Sequence, residues 1–573
     1  MELNQALNHA VAAHQAGNLV AAERGYRQVL KAIPNQPVAL NLLGLIAISQ
    51  GKNARAVQLL QKAIVAKPDF ADAFNHLGVA QRKLAQHERA VKSFSRAVAL
   101  DPALTEAHNN LGNVHKDLLA FEAAAQCYQR AIALEGKNFE PHYNLGNVLR
   151  ELERLEPARQ SYRNALALNP NHIEARFNLA ALLERSHDLP GAMEAVEEVL
   201  SRAPGMAGAL VLKAKILRRG KQETEAAAVL EGVDAASLAP EDGVSVCFEM
   251  GRIYDALGRP EQAFAHFARG NQMQKSAASK EVMREARRFR QGIEETLEQL
   301  LPGIADNWQN IGASDRQDPV FLIGFPRSGT TLLDQVLDAH PLIQVMEERP
   351  VVPRLVKNLG SSGKPLPNDY AHLTGEEAEL LRAEYFEQAS RHLELKEGSL
   401  LVDKMPLNIL YVPLIVRLFS DARFIFALRH PADVVLSNFM QLYRLNGAMA
   451  NFLELESAAD TYCAIMELWK KCRTALPVRV HTIRYEGLVT DLEEEVRPLL
   501  EFLDVDWSDA VLDPTGHARV RDGINTPSYE QVAEPVYLKS RYRWRQYRNE
   551  LAPVLGRLEP WAERLGYSLN DGF

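Results

Sequence analysis

Pro34, Pro68, Pro102, Gly136, Pro170 and Pro204 stand 34 residues apart, and the side chains between them keep the same phase. Twelve places before each stands an alanine: Ala22, Ala56, Ala90, Ala124, Ala158 and Ala192. Eight places before each stands a larger apolar residue: Tyr26, Leu60, Phe94, Tyr128, Tyr162 and Val196. Gly44, Gly78, Gly112 and Gly146 recur in register, and Ala180 continues the series. A period of this length marks a repeat array, in which one helical unit cannot bury its own apolar face and stacks on the next. The small residues mark where two antiparallel helices approach closely, the large one fills the gap, and proline opens the next turn. The register runs on through Ala226 and Leu230, then resumes after a short insertion at Gly251, Ala263 and Phe267.

This pattern resembles the tetratricopeptide repeat (TPR), and about eight helix pairs are expected over residues 1–275. A connecting helix and polar linker follow over 276–318, and a second domain over 319–573. A chain of 573 residues exceeds what one hydrophobic core supports, in keeping with that division. Its 47% apolar and 24% charged residues fit a globular protein. The net charge of −8 argues against a dedicated nucleic-acid binder, while leaving room for a local basic pocket. Cys127, Cys247, Cys463 and Cys472 show no CxxC pairing and read as buried free thiols of a reducing compartment. The start MELNQALNHAVAAHQAGN lacks the form of a signal peptide, and no spanning apolar run is visible, so a cytoplasmic protein is expected.

In the second domain, β-prone runs at 319–325, 399–404, 423–429 and 478–486 alternate with helical patterns. The expected fold is therefore α + α/β: a solenoid followed by a mostly parallel, P-loop-like sheet domain. Its ligand would lie at the carboxyl ends of the strands. The first run leads into Gly324-Phe-Pro-Arg-Ser-Gly329-Thr-Thr331 and an apolar helix. That is the glycine spacing of a phosphate-binding loop, where backbone amides and a helix N-terminus cradle an anion. Arg327 adds a charge suited to a phosphate or sulfate. Thr330 stands where nucleoside triphosphatases carry lysine, which counts against a P-loop kinase.

FPRSGTTLL resembles the 5′-phosphosulfate loop of sulfotransferases that use 3′-phosphoadenylyl sulfate (PAPS). The resemblance spans about residues 319–545 and is greatest to tyrosylprotein sulfotransferases and their bacterial TPR-linked relatives. It implies that Arg327, Ser328, Gly329, Thr330 and Thr331 hold the 5′-phosphosulfate, and that Arg429 and Ser437 hold the 3′-phosphate. VMEERPVVPR (345–354) implies Glu348 as the catalytic base, with Arg354 on the substrate side and Glu347 on a solvated surface. VDKMP implies Lys404 as a catalytic lysine beside Arg327. IRYEGLV places Tyr485 near the adenine. SYEQVAEPVYLKSRYRW (528–544) brings Ser528, Gln531 and Arg543 into register with the segment that closes over the nucleotide. Pro350 stands where the family has an arginine, which leaves preference for acidic flanks open. Gln441 replaces another arginine, for which Arg444 is a substitute. The implied reaction moves a sulfuryl group from PAPS to a hydroxyl and leaves adenosine 3′,5′-bisphosphate, with no metal.

His340, the rival base, follows the loop helix and reads better as a partner for carbonyls near its C-terminus. His430 reads as structural, and Cys463 and Cys472 as core. On the array, Asn110, Asn144 and Asn178 share one register and Asn113 and Asn147 another, three residues on. These amides would form a ladder along the groove, suited to gripping a protein or peptide backbone as acceptor. The alternative is a TPR scaffold whose second domain binds nucleotide without catalysis. Which hydroxyl is the acceptor (protein tyrosine, glycan or small phenol) stays open, as does the oligomeric state.

Overall fold

The computed structural model describes residues 2–359, 367–513 and 540–569. It divides into two compact units, Met1–Pro204 and Gly205–Phe573. In the first, twelve helices from Glu2–Gln15 to Leu189–Arg202 form six consecutive pairs. The periodic residues do what their sizes predict. A Cβ on Gly78 would stand 2.6 Å from the Phe94 ring, and one on Gly146 2.6 Å from the Tyr162 ring. Both rings are fully buried, so the glycine is the space that the ring occupies. Where the smaller Val196 replaces the ring, Ala180 fits opposite it.

Repeat geometry also shows between the helices of each pair. Gly17 and Gly51 take a left-handed φ, and the same turn position, 34 residues on each time, is Ala85, Leu119, Glu153, His187 and Lys221. These five carry side chains where glycine is the unstrained choice.

The second unit opens with two further helix pairs, Ala207–Arg219 with Glu223–Leu230 and Pro240–Ala256 with Pro260–Ala277. Gly251 lies against Phe267 as in the array, its absent Cβ 2.8 Å from the ring. One apolar core runs from Ala214 and Phe267 of these pairs to Phe321 and Trp469 of the sheet region. The unit boundary at Pro204 therefore falls inside the stretch that the repeat pattern assigns to one array. Helix Lys280–Gln299, the expected connector, turns Ala286 and Ile293 inward.

Five strands follow: β1 (Val320–Gly324), β2 (Ile343–Glu347), β3 (Leu400–Lys404), β4 (Arg423–Leu428) and β5 (Arg479–Arg484). They pair in parallel in the order β2-β3-β1-β4-β5. Both faces are covered, as continuous apolar runs require. Phe321 and Ile323 of β1 enter one core, Val320 and Leu322 the other. Strand β2 is absent from the sequence reading, because Gln344 and Glu347 break its apolar run. The structure satisfies Gln344 by bonds to the Glu394 carbonyl and the Lys396 amide, both at 2.8 Å. Strand order reverses at β1, which opens a crevice at its carboxyl end.

Candidate functional site

The crevice is built on the loop after β1. Gly324 must lack a Cβ, which would stand 2.8 Å from the Ala427 carbonyl of β4. Gly329 has φ 97°, and its missing Cβ would meet the Tyr485 ring at 2.5 Å. Helix Thr330–Asp338 starts directly after it, with no side-chain cap. Its first amides have no carbonyl four residues back in the helix and face the loop. The Ser328 amide is already donated to the Phe325 carbonyl at 3.2 Å, which narrows the backbone cradle to Gly329, Thr330 and Thr331. The Ser328 hydroxyl is buried with no hydrogen-bond partner among the described residues.

Two guanidinium groups converge beside this loop. Arg327, at a left-handed φ of 72°, donates from Nε to Ser437 Oγ at 3.1 Å. Arg429, one residue beyond β4, donates to the Arg327 carbonyl at 3.2 Å and to the Ser540 carbonyl, and lies 4.5 Å from the Tyr485 ring centre. Its Nε is buried without a hydrogen-bond partner among the described residues. Burial pushes the Arg327 guanidinium below its ordinary value, and the positive charges of Arg429 and Arg543 press the same way. A bound anion would relieve the Arg327 guanidinium. Asn438, next to Ser437, ties the two elements together by donating to the Pro326 carbonyl at 2.8 Å.

On the other side of β1, Lys404 ends β3 and is completely buried. Its ammonium donates to Glu348 Oε1 at 2.8 Å and lies 3.8 Å from both Asp334 and Glu347. Glu348 follows β2 at a left-handed φ of 38°, held by its amide bond to the Lys404 carbonyl at 2.8 Å. Non-glycine residues in that region persist only where their surroundings fix them, and Arg327 and Glu348 flank one crevice. Glu348 is half-exposed and Lys404 is not, so the carboxylate is the member that can meet a substrate. Glu347 does not lie on a solvated surface: as the last residue of β2 it is buried beside Lys404. Asp334 comes from helix Thr330–Asp338, and nothing in the sequence marks it as a partner of Lys404.

The sulfotransferase family matches residues 319–509. Tetratricopeptide repeats match residues 41–105, and TPR repeats 120–152 and 146–186. The chain carries TPR repeats and a sulfotransferase-family domain. An uncharacterized protein of Aquifex aeolicus is 30% identical over 56% of this chain and 42% of its own length. The protein-tyrosine sulfotransferase of Drosophila melanogaster is 29% identical over 46% of this chain and 54% of its own. Protein-tyrosine sulfotransferase 1 of Danio rerio is 29% identical over 44% of this chain and 75% of its own. The chain thus spans about half the length of the first two relatives.

Not every expected residue of the sulfotransferase-family domain joins the crevice. Arg354 is exposed and donates to Gln388 at 3.0 Å. Ser528 and Gln531 lie outside the described residues. Arg543 is present, but its charge is shared with Asp255 of helix Pro240–Ala256 at 2.7 Å. Tyr547 donates to the same carboxylate at 2.5 Å. Gln441 donates to the Leu442 carbonyl, and Arg444 is exposed. His340 accepts the Leu342 amide at Nδ1, and its Nε2 meets the Asp506 carbonyl at 2.8 Å, so the ring serves the chain and not a substrate. His430 stacks on Trp544 at 5.0 Å, in a structural role. All four thiols are free, and burial raises each above its ordinary range. No cluster of metal-binding side chains occurs among the described residues.

The asparagines of the array bond to one another from repeat to repeat. Asn110 donates to Asn75 at 3.0 Å, Asn144 to Asn109 at 3.2 Å and Asn178 to Asn147 at 2.9 Å. Asn113 and Asn147 accept the hydroxyls of Tyr128 and Tyr162, both at 2.8 Å. These bonds tie three successive repeats each to its neighbour, through Asn75, Asn109 and Asn147. All five of the expected asparagines remain half-buried, with hydrogen-bonding capacity beyond these contacts.

Proposed function

We propose that the chain transfers a sulfuryl group from PAPS to a hydroxyl, leaving adenosine 3′,5′-bisphosphate. The observation that carries this reading is the convergence of Arg327, Arg429 and Ser437 on a glycine loop, with the Lys404–Glu348 pair beside it. The donor set suits a nucleotide with phosphate at both ends. A bare Ser328 hydroxyl, an unpartnered Arg429 Nε and a cradle that a Cβ would close all fit anionic oxygens. Tyr485, between Gly329 and Arg429, fits the side of the adenosine.

In this mechanism Glu348 takes the proton of the acceptor hydroxyl. A new bond forms between that oxygen and sulfur as the bond from sulfur to the bridging oxygen of the 5′-phosphate breaks. The electron pair leaves with the bisphosphate, whose growing charge Lys404 and Arg327 balance. For Glu348 to act, its bond with Lys404 must loosen, so the ammonium would pass from the base to the leaving oxygen. Charge placement and alignment supply the rate, as in phosphoryl transfer.

The acceptor class proposed is a protein hydroxyl, a tyrosine first, held in extended form along the asparagine ladder of the array. Its support is the kinship with protein-tyrosine sulfotransferases and the spare amide capacity at Asn110, Asn144 and Asn178. The test is to incubate the pure chain with PAPS and a protein lysate, and to search by mass spectrometry for the mass of one sulfuryl group. Modified tyrosines in unstructured segments are expected. Turnover confined to small phenols would overturn the protein acceptor, and no turnover with any hydroxyl would overturn the enzyme.

A further inference from the structure

The helix Pro260–Ala277 lies wholly before the sulfotransferase-family match, yet it reaches into the frame of the donor site. Asn271 is buried and donates to the carbonyl of Phe439 at 2.8 Å. Phe439 is the last residue of helix Pro431–Phe439, where carbonyls lack partners within the helix, and it stands two places after Ser437. Phe264 stacks on the Phe439 ring at 4.9 Å. One turn on, Gln274 donates to the Tyr443 carbonyl at 2.7 Å. The Tyr443 hydroxyl donates to Asn438 Oδ1 at 2.8 Å, and Asn438 donates to the carbonyl of Pro326 at 2.8 Å. Pro326 precedes Arg327, whose Nε returns to Ser437 at 3.1 Å. The bonds therefore form a circuit from the last repeat-like helix, through two asparagines and a tyrosine, to Ser437 and Arg327, two of the side chains proposed for the donor.

We infer that Asn271 and Gln274 are positioning residues for the 3′-phosphate of the donor, acting through Ser437. This rests on the donor reading above. A helix in this place would ordinarily offer its outer face to the next repeat. Here that face is spent on fixing where the serine-bearing helix ends and where the glycine loop begins. Without the two amides, the hydroxyl of Ser437 would still be present but no longer held in one place. Both amides bond at or just beyond the end of the Ser437 helix, whereas the 5′-side loop is reached only through Asn438, so the 3′ end should feel the loss first.

The test is calorimetric titration of the full chain with adenosine 3′,5′-bisphosphate and with adenosine 5′-phosphate. The ratio of the two affinities reports the 3′-phosphate alone. Asn271→Ala and Gln274→Ala should each lower that ratio about fivefold or more, while affinity for the 5′-phosphate stays within about twofold. Gln272→Ala, exposed on the same helix, should change neither. Tyr443→Phe removes one oxygen from the far side of the circuit, leaves the helix whole, and should repeat the loss. Unchanged ratios in all three circuit variants, or equal loss of both ligands, would overturn the inference and leave the donor reading standing. A wild-type chain with no preference for the bisphosphate would overturn the donor reading, and this inference with it.

Discussion

Asp403 and Lys404 are neighbours on β3 and point to opposite faces of the sheet. Lys404 meets the carboxylates of the crevice, whereas Asp403 is bonded to the Tyr385 hydroxyl at 3.0 Å and to Asn408 at 3.3 Å. Burial raises the Asp403 carboxyl to about 7, well above its ordinary value. The fold thus prefers its protonated form. Its contribution to stability is full below the unfolded value and is lost as pH rises through about 7. Asp403→Asn should remove that loss: relative to wild type, its melting temperature should rise progressively between about pH 5 and about pH 8. A difference that stays flat with pH would show that Asp403 titrates elsewhere. On the other face, Glu348→Gln should keep nucleotide binding and lose turnover by on the order of 10²-fold or more. Glu347→Gln should lose less, since that carboxylate is buried behind Lys404 at 3.8 Å. The reverse order in steady-state assays would move the base one residue back along the chain.

At the scale of elements, what the sequence reveals depends on how local the determinant is. The repeats are legible because a small residue and a large apolar one recur 16 residues apart from unit to unit, as Gly78 with Phe94 and Gly146 with Tyr162. The glycine loop is legible because strand, turn and helix are contiguous. By contrast, β2 hides behind Gln344 and Glu347, whose polarity is compensated by partners some fifty residues away. Asp334 and the adjacent Glu347 and Glu348 come from different elements than Lys404, and only the fold brings them together. Asn438 and Tyr443 were invisible for the same reason, since their worth lies in contacts with the Pro326 loop. The turn position shared by Gly17, Gly51, Ala85 and Leu119 is a pattern of backbone shape, which side-chain identity conceals. Leu119 holds φ 59° there with its side chain 72% exposed, so it gains little from burial. A left-handed non-glycine residue costs about 1–2 kcal/mol, and glycine costs about 0.5–1 kcal/mol more chain entropy. Leu119→Gly should therefore stabilise the array by about 0.5–1 kcal/mol, read as a higher denaturant midpoint at unchanged slope. A lower midpoint would mean that the leucine side chain is itself in use.

For the whole molecule, the division at Pro204 has a thermodynamic consequence that intrinsic probes can read. A chain of two compact units need not unfold as one. Every residue assigned to the donor, from Arg327 to Arg543, belongs to the second unit, as do the positioning residues Asn271 and Gln274. All five tryptophans, Trp308, Trp469, Trp507, Trp544 and Trp561, lie there as well. Tryptophan fluorescence is thus a report on the second unit alone, while far-ultraviolet circular dichroism follows the helices of both. Heating should give a dichroism curve with two steps, of which only one coincides with the fluorescence change. Adenosine 3′,5′-bisphosphate at about 100 times its Kd should add about 2.7 kcal/mol to the unit that binds it. The fluorescence-detected step should then move up by a few degrees, with the other step left in place. No magnesium should be needed for the shift if the guanidinium and ammonium groups proposed for the phosphates supply the charge. A single coincident transition that moves as a whole would mean that the units stand or fall together. A shift confined to the dichroism step that fluorescence does not see would put the nucleotide on the array, against every assignment made to the crevice.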